Sequence, residues 1–161
     1  MNLPYTEVEF DTRTIGPLVL TTPFLQRLGL REVVNQLCPV AEQAHLDHGL
    51  VAELVVQCRL SAPQALYEMP AWATRYDIAA LYPDIEDAHQ LHDDRVGRLL
   101  DSIYPRRAMI WGEVIARAAQ AYEIDLSRLH ADTMPIKFAG LFAQQSGDET
   151  VPRLEPGYNP Q

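Results

Sequence analysis

Apolar positions recur at helical intervals along most of the chain. The clearest stretch is Val96, Leu99, Leu100 and Ile103, at i, i+3, i+4 and i+7, a spacing that lays one apolar stripe along a helix. His92-Asp93-Asp94 precedes it, with Asp93 as the predicted N-cap, and Tyr104-Pro105 breaks it. Residues 106–122 repeat the pattern with Ile110, Trp111, Val114, Ile115, Ala118 and Tyr122, which predicts a core role for Trp111. Residues 49–60, GLVAELVVQCRL, are apolar nearly all round and predict the central, most buried helix, capped by Asp47. Upstream, Thr22-Pro23 reads as a helix start, Thr as N-cap and Pro at the first helical position. Phe24, Leu25 and Leu28 then face inward and Gly29 ends the turn. A short helix follows from Leu30, with Val33, Val34 and Leu37 as its stripe, and Cys38-Pro39 stops it. A further helix runs from Pro63 through Leu66-Tyr67 and ends before Pro70. Residues 71–76 and 77–81 read as helices of one to two turns. Residues 5–20 alternate loosely and predict one or two short strands or extended pieces, broken at Gly16-Pro17.

The pattern changes at Ile124. Residues 126–139, LSRLHADTMPIKFA, show no helical period and predict a strand with Asp132 inside it or at its end. Beyond Gly140 the chain turns polar, and Pro152, Pro156 and Pro160 exclude a helix. The predicted organisation is therefore an extended lead-in over 1–21, a multi-helical domain over 22–125, and the start of a second, β-containing domain over 126–161. The fold class is mainly α.

Composition narrows the function classes. The 161 residues carry 13 basic and 22 acidic side chains, a net charge of −9 with His neutral. Residues 1–93 hold 5 basic and 13 acidic groups, and residues 94–161 hold 8 and 9. The first half therefore repels a phosphate backbone. A helix-turn-helix-like use of 94–104 and 106–122 requires Arg95, Arg98, Arg106, Arg107 and Arg117 to gather on one face. No run of ~18 uncharged apolar residues predicts a membrane span, and the first residues do not read as a signal peptide. Cys38 and Cys58 lack metal-type spacing and read as reduced core thiols of a cytoplasmic protein.

Three polar groupings are candidate sites. His45, Asp47 and His48 resemble part of a zinc motif, but position 43 is Gln, and a catalytic zinc needs three protein ligands on a rigid frame. A helix cap flanked by solvated histidines accounts for them better. His89, His92, Asp93 and Asp94 form the second group, for which capping of the following helix is again the simpler account. The third is Asp132, in the one segment that reads as a buried strand. A carboxylate there is costly unless paired, hydrogen-bonded or metal-bound.

Taken in order, FLQRLGLREVVNQLCP at 24–39, DHGLVAELVVQCRL at 47–60 with Pro63 and Leu66-Tyr67, HDDRVGRLLDSIY at 92–104, RLHADTMPIKFAG at 128–140 and PGYNPQ at 156–161 form a pattern. The chain resembles the N-terminal part of bacterial insertion-sequence transposases of the DDE type, in a branch with an N-terminal helical domain of unknown function. The resemblance implies that residues from 126 begin a ribonuclease-H-like catalytic domain. It implies Asp132 as the first catalytic and metal-binding carboxylate, Mg²⁺ or Mn²⁺ as cofactor, and transposon-end DNA as substrate. The second Asp and the Glu of that family lie beyond the GYNPQ-like segment. These 161 residues alone are therefore expected to be inactive, since one carboxylate cannot hold two metal ions about 4 Å apart. The alternatives are a helical interaction domain that dimerises with or inhibits intact transposase, itself a candidate homo-oligomer, and a small DNA-binding module.

Overall fold

The computed structural model of the protein describes residues 14–41 and 44–127. The chain divides into two compact units, Met1–Asp125 and Leu126–Gln161, and the described helices all belong to the first. That unit is mainly helical. Among the described residues the only β pairing is an isolated parallel bridge between Thr14 and Tyr76. The strand predicted over 126–139, with Asp132, lies outside the described residues from 128 on; of the extended stretch predicted over 5–20, residues 5–13 lie outside them, and residues 18–20 are helical instead.

Helix α1, Leu18–Leu28, begins earlier than Thr22-Pro23 predicts. Pro17 occupies the N-cap position, and Pro23 lies inside the helix. The reason is burial: Leu18, Thr22 and Leu25 fall at i, i+4 and i+7 on the side that faces the core, so residues 18–22 are drawn into the helix. Thr22 is not the cap; its hydroxyl accepts a hydrogen bond from Gln57 Nε2 at 2.8 Å. Phe24, predicted to face inward, is 58% exposed. Gly29 ends α1 with φ 62°, a left-handed conformation that suits glycine, and α2, Leu30–Leu37, starts at once.

Helix α3, His48–Ser61, is the centre of the unit, buried over most of its circumference. Val51, Leu54 and Cys58 are buried and Val55 is half-buried. A short 3₁₀ turn, Leu66–Glu68, leads into α4, Met69–Arg75. Here Pro70 starts a helix rather than ending one, because its missing N–H would be unpaired in a first turn anyway. The one-turn α5, Ile78–Leu81, follows, then a second 3₁₀ turn, Ala88–Leu91, and α6, Asp93–Ile103. A third 3₁₀ turn, Tyr104–Arg106, joins α6 to α7, Arg107–Tyr122.

The core gathers Leu18, Val33, Val34, Leu50, Leu54, Trp72, Leu91, Val96 and Leu99, with α3 running through it. Each such side chain contributes ~1.5–3 kcal/mol by leaving water. Trp72 is fully buried, and its indole N–H donates to Ser61 Oγ at 2.9 Å. Helix α7 packs against α1 and α2.

Candidate functional site

The polar groups of the helical unit converge where the N-termini of α2 and α3 meet. Asp47 caps α3: its Oδ1 accepts from the Leu50 N–H at 2.6 Å and from Asn35 Nδ2 at 2.9 Å. Its Oδ2 accepts from both Nε and Nη2 of Arg31, at 3.1 and 2.5 Å. Arg31 Nη2 also donates to Asp84 Oδ2 at 2.8 Å, and Asn35 Oδ1 accepts the Gly49 N–H at 2.7 Å. Burial alone would raise the Asp47 carboxyl, but the donors Leu50, Arg31 and Asn35 outweigh it and hold the group below its ordinary range.

Beside this network lies a cavity of about 380 Å³ lined by Gln26, Arg31, Glu32, Glu53, Leu81, Tyr82, Pro83 and Asp84. Glu53, on α3, is 3% exposed. Burial first, and the nearby Glu32 second, push its carboxyl up to about 7, against the pull of the Arg31 charge and a hydrogen bond from the Arg31 backbone N–H. That N–H belongs to the first turn of α2, so Glu53 closes the end of one helix from the side of another. A carboxyl with that titration suits general acid–base work. The lining, however, offers no serine, cysteine or histidine for it to serve. One turn along α3, Gln57 is fully buried; its amide donates to Thr22 and to Tyr82 Oη at 3.2 Å and accepts from the Thr21 hydroxyl. Among the described residues no buried side-chain nitrogen or oxygen lacks a partner. The polar interior holds helices together. The sequence pattern does not single out Glu53 and Gln57, although an i, i+4 polar pair in an otherwise apolar helix is the signal that marks them.

The histidine clusters separate. His45 is exposed, but His48 is not in a solvated loop: it is 8% exposed at the start of α3, with Nδ1 3.2 Å from Arg95 Nη1. Burial, and then the Arg95 charge, lower its pKa. His92, Asp93 and Asp94 each offer a ligand atom within 4.8 Å of the others, all exposed. The predicted cap residue is corrected by one position. His92 is the N-cap, without a side-chain bond, and Asp93 and Asp94 occupy the first turn of α6, where carboxylates suit the helix dipole. His89 stands apart, its backbone N–H donating to Asp87. Asp132 lies outside the described residues.

Four of the five arginines between 94 and 122 have partners within the chain. Arg95 is spent on His48 and on the Leu46 carbonyl at 3.0 Å, and Arg117 pairs with Glu113 at 3.0 Å. Arg106 and Arg107 donate to the carbonyls of Ser102 and Tyr104.

The exposed apolar surface is where the structure departs furthest from the sequence pattern. Trp111 is not in the core; it is 66% exposed. Helix α7 is apolar on two faces. Ile110 and Val114 turn inward, and Trp111 and Ile115, each rotated by one residue, turn out. Phe24 of α1 stacks on Tyr122 of α7 with ring centroids 6.2 Å apart, and the Arg27 guanidinium lies 4.7 Å from the Tyr122 centroid. Among the described residues no helix is long and apolar enough to cross a membrane.

No curated protein and no solved structure matches the chain. A family model does, over residues 10–110, from before α1 into the first turn of α7 and so over more than half of the sequence. The chain belongs to the family described as a domain of unknown function, DUF4277.

Proposed function

We propose that the chain is the amino-terminal part of a cytoplasmic DDE-type transposase, in which a helical body precedes the first strand of a ribonuclease-H-like catalytic domain. Chain order carries the reading. The helical body runs to Tyr122, and the segment RLHADTMPIKFAG, with its strand-like pattern and central Asp132, begins at 128. Asp132 is then the first of three carboxylates. Mg²⁺ or Mn²⁺ held by all three would stabilise the charge that develops as water or a 3′-hydroxyl attacks a phosphate at the transposon end. The helical body has no part in that step, in keeping with polar groups committed to one another around Asp47 and Gln57.

The test is DNA cleavage by the protein extended with the residues that follow in its reading frame. Cleavage with Mg²⁺ should vanish with Asp132→Ala, while residues 1–161 alone should not cleave. Cleavage that survives Asp132→Ala, or that residues 1–161 perform alone, would overturn the assignment.

A second reading, compatible with the first, is favoured by the outward face of α7. The helical body acts as a contact surface for another transposase chain, through side chains such as Trp111 that it does not itself bury.

A further inference from the structure

The outward stripe of α7 consists of Ala108, Trp111, Gly112, Ile115, Ala119 and Tyr122. On a 3.6-residue helix these six lie within about one third of the circumference. Trp111, Ile115 and Tyr122 are 66%, 46% and 36% exposed; Ala108 and Gly112 are exposed and Ala119 is half-buried. A methyl group placed on Gly112 would meet nothing within 4 Å. The large and small members follow an order. Counted outward from Ile115, Trp111 is as far in one direction as Ala119 in the other, and Ala108 is as far as Tyr122.

We propose that two copies of the chain pair through α7, antiparallel, with a two-fold axis at Ile115. That arrangement sets a large side chain level with a small one throughout: Trp111 with Ala119, Tyr122 with Ala108, and Ile115 with its own copy. A parallel pair would set Trp111 against Trp111 and leave Ala108 and Ala119 facing gaps. Packing at native density requires the former.

Charge selects the same orientation. Helix α7 opens on Arg106 and Arg107, with no acidic residue in its first turn, and closes on Glu123, with no basic residue in its last. The N-terminal end opposes the helix's own dipole, whereas at the C-terminal end Arg27 of α1 already donates to the Ala121 carbonyl at 2.6 Å. An antiparallel copy brings the basic end of each helix to Glu123 of the other, which offsets the charge at the N-terminal end. Phe24, stacked on Tyr122, widens the apolar patch at its rim. This proposal deepens the contact-surface reading and does not depend on Asp132, so a monomeric chain would leave metal-dependent cleavage untouched, and an inactive transposase would leave the dimer untouched.

Sedimentation velocity over a concentration series of the 161-residue protein tests it, with circular dichroism to confirm that each variant keeps its helices. The wild type should show a reversible monomer–dimer equilibrium. Trp111→Ala should weaken it ~30-fold or more, as removal of a central aromatic anchor does. The double variant Trp111→Ala with Ala119→Trp, which exchanges large for small, should recover part of the loss. Mild oxidation of Ile115→Cys should give a disulfide-linked dimer, while Ala108→Cys should cross-link with Tyr122→Cys and not with itself. Cys38 and Cys58 are buried and do not compete. A monomer at all concentrations up to about 1 mM, a Trp111→Ala protein that dimerises as the wild type does, or equal self-cross-linking at 108, 115 and 122 would each overturn the antiparallel pair.

Discussion

Gly49 of α3 lies against the backbone of Arg31 in α2 so closely that a Cβ on it would fall 2.2 Å from the Arg31 carbonyl oxygen and 2.7 Å from its Cα. The contact brings the two helices together where Asp47 and Asn35 join them, and it leaves no flexible side chain to yield. Gly49→Ala is therefore expected to push α3 off α2 and cost about 1–3 kcal/mol. Gly97, on α6, has nothing within 4 Å of its own would-be Cβ. Gly97→Ala should stabilise by up to about 1 kcal/mol through helix propensity. Urea unfolding of the two variants should give shifts of opposite sign; equal shifts would refute the close approach.

Asp47 joins a cap, an amide and an ion pair, so its substitutions separate these roles. Asp47→Ala leaves the Leu50 N–H and the Asn35 amide without their acceptor and Arg31 with Asp84 alone, and should cost about 2–3 kcal/mol. Asp47→Asn keeps an oxygen for the Leu50 N–H and should cost less. Because the folded carboxyl titrates below its ordinary 3.8, its contribution is present above that value and is lost as pH falls through the folded value. Acid unfolding of Asp47→Asn should therefore show a shallower decline than that of the wild type.

Glu53 has the opposite sign. Its folded pKa of about 7 stands above the ordinary 4.5, so the fold binds this proton more tightly than the unfolded chain does. Stability from Glu53 is greatest below 4.5, falls as pH rises from 4.5 to about 7, and is level above. Glu53→Gln removes the buried charge and keeps an acceptor for the Arg31 N–H. It should match the wild type near pH 4.5 and be more stable at pH 8 by about 1–2 kcal/mol once solvent screening is allowed for. His48, whose pKa is lowered, titrates alike in both proteins and cancels in the difference. A difference independent of pH would show that Glu53 does not carry the raised titration.

Much of the helical unit is legible in the sequence because its signals are local. Asp47 before GLVAELVVQCRL marks a cap and a buried helix without reference to any other element, and both occur at that place. The departures share one cause, the choice among partners that only tertiary packing makes. The pattern marks Gly16-Pro17 as a break and Thr22-Pro23 as the helix start, and the burial of Leu18 moves the start to Pro17. Helix α7 has two apolar faces, and periodicity does not say which one meets α1 and α2, so the pattern assigns Trp111 to the core although it faces out. Glu53 and Gln57 are hidden by the apolar residues around them, since their partners, Arg31, Thr22 and Tyr82, come from distant parts of the chain.

The helical unit holds within itself the contacts that it needs to fold alone. Residues 14–125 contain a core built from α1 to α7 around Leu50, Leu54 and Trp72, with the Asp47 and Gln57 networks complete inside it. A chain cut after Asp125 keeps every one of these contacts and the left-handed Glu123 turn, whose cap N–H reaches the Ala119 carbonyl. It should fold with about the thermal midpoint of the 161-residue protein, and with undiminished helical circular dichroism per molecule. The edge exposed by a strand over 128–138 would be removed by the same cut, so the shortened chain should also aggregate less on heating. Thermal unfolding followed by circular dichroism and light scattering checks both. A shortened chain that is unfolded at 25 °C would make residues 126–161 integral to the helical core and would rule out the start of a separate domain at 126.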